Sequence, residues 1–241
     1  LLPIILRING YESKIIDKIS LIGYTSLGFF TLSFTFLLAK DFLFQIVSFV
    51  NNIFNEQQIV DESKRDFIKK SVSIGIIGLT GGATAYGFYS ARKGPQVIKE
   101  NIFLKNLPQE FDNYKIAQIS DLHVGPTIKR PYVEKVFDII ANVNPDMLAV
   151  TGDLVDGSVE NLRSDLEPFK DMIARDGTFF VTGNHEYYSG VDRWLDETDR
   201  LGMTNLINSK TILEKQGSEI CIAGITDFRA HQIKKSHRSN P

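Results

Sequence analysis

From Ser20 to Ala39 the chain runs 20 residues without a charge, and from Ser71 to Ala91 it does so for another 21. Lys40 and Asp41 close the first run; Lys69–Lys70 and Arg92–Lys93 bracket the second. A helix needs ~20 apolar residues to cross the ~30 Å hydrocarbon core of a bilayer. A buried helix of a soluble domain is usually shorter and interrupted by polar groups. Both runs are therefore read as transmembrane helices, near residues 20–39 and 71–91, in a membrane anchor spanning residues 1–91. Leu1–Leu6 reads as the end of a further span, and Phe42–Phe54, apolar but short, as an interfacial or re-entrant helix. Gly78 and Gly82 have the spacing that lets helices approach closely in lipid, and equally that of ordinary glycine tolerance in a membrane helix. A transporter fits poorly, because the runs carry no intramembrane charge to mark a pathway.

Lys and Arg are nearly balanced across the two runs, so charge alone does not orient them. Ser63-Lys64-Arg65-Asp66-Phe67-Ile68-Lys69 is similar to a twin-arginine export signal with Lys in the first Arg position, and Ala83-Thr84-Ala85 to a cleavage site. The other reading is a plain basic flank. On the export reading the protein is a multi-pass cell-membrane protein whose residues from 92 onward are extracytoplasmic.

The remainder is globular and acidic. Residues 1–99 carry a net +4 and residues 100–241 a net −6. A nucleic-acid-binding surface needs a basic face, and the acidic half does not supply one. It fits a domain that gathers carboxylates around cations. With one cysteine, Cys221, the chain has no internal disulfide framework and no Cys-based zinc cluster.

After Lys93-Gly94-Pro95 the pattern alternates. Strands are expected at Asn101–Leu107, Lys115–Ser120, Met147–Thr151, Thr178–Thr182 and Ile220–Ile225. Helices are expected at Pro131–Val143, Leu162–Ile173 and Val191–Leu201. Val133, Val136, Phe137 and Ile140 fall at helical spacing, and Trp194 reads as core. The alternation predicts an α/β fold: a βαβ-type sheet covered by helices, with function in loops at the carboxyl ends of the strands.

Polar residues collect in those loops: Asp121-Leu122-His123, then Gly152-Asp153-Leu154-Val155-Asp156, then Gly183-Asn184-His185-Glu186. Asp121 to Asp153 is 32 positions and Asp153 to Asn184 is 31, one strand–helix unit each. Carboxylate, imidazole and amide donors suit divalent ions such as Mn, Fe, Zn or Co. A carboxylate on the middle loop can bridge two ions ~3.5–4 Å apart, an arrangement that clamps a phosphoryl group. Gly152 and Gly183 are expected to let the backbone come close to the ions.

Asp-x-His, Gly-Asp-x-x-Asp and Gly-Asn-His-Glu, each after a hydrophobic strand, together resemble the calcineurin-like metallophosphoesterase superfamily. Ser120-Asp121-Leu122-His123-Val124-Gly125 and Gly183-Asn184-His185-Glu186 are similar to its membrane-attached, YkuE-like branch. The resemblance covers roughly residues 95–230. It implies a metallophosphoesterase-type α/β sandwich over residues 95–241 and hydrolysis of a phosphomonoester, phosphodiester or pyrophosphate by a hydroxide activated between two divalent ions. It implies Asp121 and His123 as ligands of the first metal, Asp153 as the bridge and Asn184 as a ligand of the second. It implies that His185 meets the phosphate or protonates the leaving group, with Asp156 and Glu186 orienting these groups. Other readings stay open: Asn184 as a turn residue, His185 as a structural hydrogen-bonding partner, and Asp156 and Glu186 as helix-start acids. Tyr187 and Tyr188 line a pocket or pack in the core. The anchor suggests a lipid- or nucleotide-linked substrate and contact with membrane lipid.

The superfamily completes its site with a later strand–His segment and a Gly-His-x-His segment. Neither His231 nor His237 matches them. Gly224-Ile225-Thr226-Asp227 is similar to the strand and loop that come just before. The chain is therefore expected to be a C-terminally incomplete fragment that on its own binds metal weakly. The alternative is a truncated, non-catalytic membrane protein that binds a metal or a partner.

Overall fold

The computed structural model describes residues 5–6, 9–53, 62–171 and 174–240. They divide into two units, one of the described residues from 21 to 93, the other of those up to 20 together with 94–240.

The first unit is two long helices, α1 (Lys14–Ile53, whose first residues belong to the other unit) and α2 (Glu62–Ser90). Both are long and apolar enough to cross a membrane, and almost none of their residues is buried. α1 runs unbroken through Phe42–Ile53, so no separate interfacial helix forms there. Lys40 and Asp41 do not break it: the two pair at 3.0 Å, and Lys40 Nζ donates to Ser73 Oγ at 2.8 Å. Ser33 and Thr80 join the helices through their hydroxyls at 2.8 Å. A Cβ on Gly78 or Gly82 would meet nothing within 4 Å, so their spacing is glycine tolerance rather than close packing. The Leu1–Leu6 reading falls largely outside the described residues.

In the second unit, β1 (Ile116–Ile119), β2 (Met147–Thr151), β3 (Thr178–Val181) and β4 (Thr204–Asn205) form one parallel sheet in chain order. α3 (Arg130–Val143) joins β1 to β2, and α4 (Val159–Leu166), continued by a 3₁₀ turn over Glu167–Asp171, leads toward β3. α5 (Asn184–Tyr188) and α6 (Val191–Arg200) lie between β3 and β4. Pro131 sits in the first turn of α3, where its missing N–H costs nothing. Asn144 ends the helix in the left-handed conformation.

Strand alternation sorts the core. Leu148, Val150 and Phe180 point to the helices and pack with Val133, Val136, Phe137 and Ile140 of α3, Leu162 of α4 and the fully buried Trp194 of α6. Met147, Phe179 and Leu206 point the other way, against Leu213 and Ile222. Those two belong to an antiparallel hairpin, β5 (Ser209–Lys215) and β6 (Ser218–Gly224), that forms its own sheet. Helices thus cover one face and a hairpin the other. Ile220–Ile225 is extended as expected but in that hairpin rather than the main sheet. Asn101–Leu107 forms no strand: no neighbour among the described residues pairs with it, and Ile102 and Phe103 stay exposed.

Charge fastens α4 to α6. The buried Glu197 carboxylate accepts Arg163 Nη2 at 3.0 Å and Arg200 Nη2 at 2.5 Å, and Arg200 also reaches Glu167 at 2.8 Å. Burial pushes the Glu197 carboxyl up, but Arg200 and Arg163 outweigh it and hold it below its ordinary value. Hydrogen bonds from Arg200 and Lys170 hold Glu167 down at about 2. Both groups are more acidic folded than unfolded, so the stability they contribute is present above pH 4.5 and fades as pH falls toward 2. Arg200→Met removes that contribution. Its melting-temperature deficit, read by circular dichroism, should be widest above pH 4.5 and close as pH approaches 2.

Candidate metal centre

β1, β2 and β3 are parallel neighbours, so the loops after them emerge side by side at one sheet edge. Backbone bonds then zip the loops together. Asp121 N donates to Gly152 O at 3.2 Å, His123 N to Asp153 O at 3.0 Å and Val124 N to Leu154 O at 2.9 Å. Val124 and Val155 form a parallel bridge that prolongs the β1–β2 pairing beyond the strands. Asp121, His123 and Asp153 take positive φ of 57°, 48° and 52°.

The two glycines let the second and third loops pass in direct backbone contact. A Cβ on Gly152 would lie 2.3 Å from Gly183 N, and one on Gly183 would lie 2.2 Å from Asp153 Oδ1. Gly125, one position past the first motif's hydrophobic residue, has a similar duty: its Cβ would lie 2.8 Å from the Cβ of Asp156.

Glu186 is buried at 1% exposure and spans two loops. Its Oε2 accepts from Gly183 N at 2.7 Å and Asp153 N at 3.0 Å, and its Oε1 from Leu154 N at 2.7 Å. Burial pushes this carboxyl up, against the pull of the three N–H donors. Asp153 Oδ1 in turn accepts His185 N at 2.9 Å. Asn184 lies half-buried between Gly183 and His185, at the start of α5.

Asp156 holds both imidazoles. Its Oδ2 meets His123 Nδ1 at 3.1 Å, and its Oδ1 bonds His185 Nδ1. The two rings cross edge to face with centroids 4.5 Å apart. With Nδ1 of His123 given to Asp156, its Nε2 faces Asp121 Oδ1 at 3.8 Å and Asp153 Oδ2 at 4.0 Å. The ligand atoms of Asp121, His123 and Asp153 all lie within 4.8 Å of one another. One imidazole nitrogen and two carboxylate oxygens converge here, and nitrogen plus two oxygens is a donor set for a divalent transition ion. The donor set therefore fits such an ion. A second convergent group, His123, Asp156 and His185, is already used up in hydrogen bonds between carboxylate and rings.

A sequence profile of the calcineurin-like phosphoesterase family matches residues 114–236. The chain belongs to this family. Its members hydrolyse phosphate esters with divalent metals. The chain is 29% identical over 220 residues to a zebrafish (Danio rerio) transmembrane protein with metallophosphoesterase domain, covering 90% of this chain and 49% of that one. It is 31% identical over 190 residues to an uncharacterised metallophosphoesterase of Helicobacter pylori, covering 74% and 50%. It is 30% identical over 122 residues to the UDP-2,3-diacylglucosamine pyrophosphatase LpxG of Chlamydia trachomatis, covering 49% and 36%. The chain spans about half the length of the first two of these relatives. The names of the transmembrane relatives and the two apolar helices mark a membrane protein.

Some polar residues gained roles the sequence did not announce. Ser120 Oγ donates to Asp121 Oδ2 at 2.5 Å, fixing the carboxylate most exposed to solvent. Tyr188, exposed, lies edge-on to the His185 ring at 5.5 Å, whereas Tyr187 is buried and hydrogen-bonds Thr182 at 3.1 Å and His237 Nδ1 at 2.9 Å. Burial and the nearby Lys234 hold the His237 pKa below its ordinary value. Overpacking a close approach costs ~1–3 kcal/mol, more where only backbone can yield. Gly183→Ala, whose Cβ collides with Asp153, should therefore lower unfolding free energy in urea by about 3 kcal/mol and weaken Mn²⁺ binding; an unchanged midpoint would mean the loops are not this tightly joined.

Proposed function

We propose that this chain is part of a membrane-bound, dimetal phosphoesterase, with residues 1–91 as the anchor and residues 95–241 in the catalytic domain. The observation that carries the reading is the convergence of Asp121, His123 and Asp153, with Asp156 tying His123 to His185. Asp121 and His123 would hold one divalent ion (Mn, Fe, Zn or Co), Asn184 a second, and Asp153 both. Bound there, the ions would supply Lewis acidity toward a phosphoryl oxygen and toward water.

The chain's own groups would do the rest. Asp156 engages Nδ1 of His185 and so leaves Nε2 as the atom through which the ring would pass a proton to the departing oxygen. Glu186 keeps Asp153 and Gly183 at fixed separation through backbone donors. Tyr188, on the open side of His185, offers an aromatic edge to the leaving group.

The reaction is hydrolysis of a phosphomonoester, phosphodiester or pyrophosphate. A lipid-linked or nucleotide-linked pyrophosphate suits a site attached to a bilayer, and the relative named as a UDP-2,3-diacylglucosamine pyrophosphatase supports that class. The domain is proposed to lie outside the cytoplasm, on the likeness of Ser63–Lys69 to an export signal.

In the full-length protein in membranes, Asp153→Asn should abolish Mn²⁺-dependent hydrolysis of an aryl phosphodiester. His185→Gln should lower kcat by about 10²–10⁴-fold, the range for losing a general acid. Turnover retained in Asp153→Asn would sink the dimetal reading, and Mn²⁺ binding without any turnover in the unmutated protein would favour a non-catalytic binding module. The exposed Cys221 gives the side: an impermeant maleimide should label it in intact cells, and protection would put the domain in the cytoplasm.

A further inference from the structure

The residues preceding the first apolar run group with the phosphoesterase domain. Two acidic side chains fasten them there. Glu12 Oε2 accepts from Ser158 N at 2.9 Å and from Ser158 Oγ at 2.5 Å. Asp17 is only 4% exposed, and its Oδ2 accepts Lys129 Nζ at 2.7 Å and Asn161 Nδ2 at 3.3 Å. Lys129 also pairs with Asp165 at 3.2 Å, whose other oxygen accepts Arg130 N at 3.1 Å at the start of α3. The segment thus grips the first turns of both helices that follow the first two loops of the site.

Ser158 is not an incidental contact. It is the N-cap of α4, its Oγ accepting Asn161 N at 3.4 Å. It stands two residues after Asp156, the carboxylate that holds His123 and His185. Only Gly157 separates them, and that glycine is fixed as well: its N–H donates to Ser189 Oγ at 3.2 Å and its carbonyl accepts Trp194 Nε1 at 3.0 Å. Glu12 therefore clamps the far end of a three-residue turn whose near end carries the imidazole pair. A carboxylate accepting two donors on one residue fixes its backbone far better than water does.

We propose that Glu12 is a positioning residue for the phosphoesterase site, holding Ser158 so that Asp156 keeps His123 and His185 in place, and that the segment around residues 11–20 is a strut of the catalytic domain. The proposal rests on the metal-dependent phosphoesterase reading for its activity arm alone. It has a consequence for topology. The strut precedes the apolar run of α1 and the domain follows α2, so the two lie on one side of the bilayer, with α1 and α2 crossing as a pair.

Two experiments on the full-length protein test it. In a Cys221→Ser background, single cysteines at Tyr11 and Lys210, both exposed, should be labelled by an impermeant maleimide from the same side of intact cells or inverted vesicles. Labelling from opposite sides overturns the strut, whatever the enzyme does. Calorimetric titration with Mn²⁺ alone, together with hydrolysis of an aryl phosphodiester, tests the positioning. Loss of partners behind metal ligands typically costs ~10–100-fold in metal affinity or activity. Glu12→Ala should sit at the low end, about tenfold weaker in Mn²⁺ affinity and in kcat, with KM unchanged. Glu12→Gln, whose carbonyl oxygen can still accept both Ser158 donors, should restore both. If Glu12→Ala fails to fold, Ser158→Ala, which removes one of the two donors, should give a smaller loss in the same two quantities. Glu12→Ala or Ser158→Ala equal to the parent protein overturns the proposal, as does Glu12→Gln behaving like Glu12→Ala. A parent protein without turnover defeats the phosphoesterase reading, while the Mn²⁺ affinities still decide the role of Glu12.

Discussion

The carboxylate of Glu186 holds the second and third loops in register. Three backbone N–H groups, from Gly183, Asp153 and Leu154, end on its two oxygens in a place closed to water. N–H donors left there without an acceptor would each cost ~1–3 kcal/mol. The fold therefore depends on that carboxylate, and the carboxylate can reach both loops only because Gly152 and Gly183 let their backbones touch. Three residues of the centre hang from this junction: Asp153 by its own N–H, His185 through Asp153, and His123 through its backbone bond to Asp153 O. The geometry of the centre is set by backbone contacts first and by the polar side chains second.

Asp156 illustrates how the chemistry is divided. A lone imidazole beside two carboxylates chooses its tautomer from its strongest neighbour. Here one carboxylate takes Nδ1 of both rings, which leaves the two Nε2 atoms with different surroundings. His123 Nε2 is turned to Asp121 and Asp153, while the His185 ring borders the exposed Tyr188. Two histidines of the same type thus acquire different settings around one shared acid.

How much of this the residues announce depends on the range over which each signal acts. The order of strands and helices around the centre follows from local periodicity, and Met147–Thr151 was legible to the residue because a fully buried strand is a short apolar run. The three loops were legible because each motif sits directly after a strand. What local pattern could not supply was pairing. Asn101–Leu107 has strand-like composition, yet a strand exists only where a neighbour offers a ladder. β5 alternates exposed and half-buried residues with charged ones among them, a weak signal that becomes a strand only once β6 pairs with it. The same holds at the site: Glu186 does serve its own helix start through Gly183 N, but its bonds to Asp153 N and Leu154 N, and those of Asp156 to the two imidazoles, join residues more than 25 positions apart in sequence. Gly152 and Gly183 signal close backbone approach, but that they approach each other's loop is visible only in the fold. The strut formed by Glu12 and Asp17 had no local signature at all, since its partners lie over 100 residues away.

The backbone of the centre also carries strain of a kind that stability alone would not select. Asp121, His123 and Asp153 all sit in the left-handed region, where an L-residue loses roughly 1–2 kcal/mol and only short polar side chains are at ease. His123 has no such excuse. Its conformation persists because its N–H is spent on Asp153 O, its Nδ1 on Asp156, and Val124 beside it is fully buried and bridged to Val155. Neighbours that over-determine a residue can hold it in a conformation it would leave if free. Added to this is the mutual repulsion of the Asp121 and Asp153 carboxylates, brought together at the centre. A cation would relieve the electrostatic part and leave the conformational part untouched. The zipped loops, the glycine junction and the buried Glu186 are what keep Asp121, His123 and Asp153 converged, so that an ion held there would not have to bear the cost of ordering them.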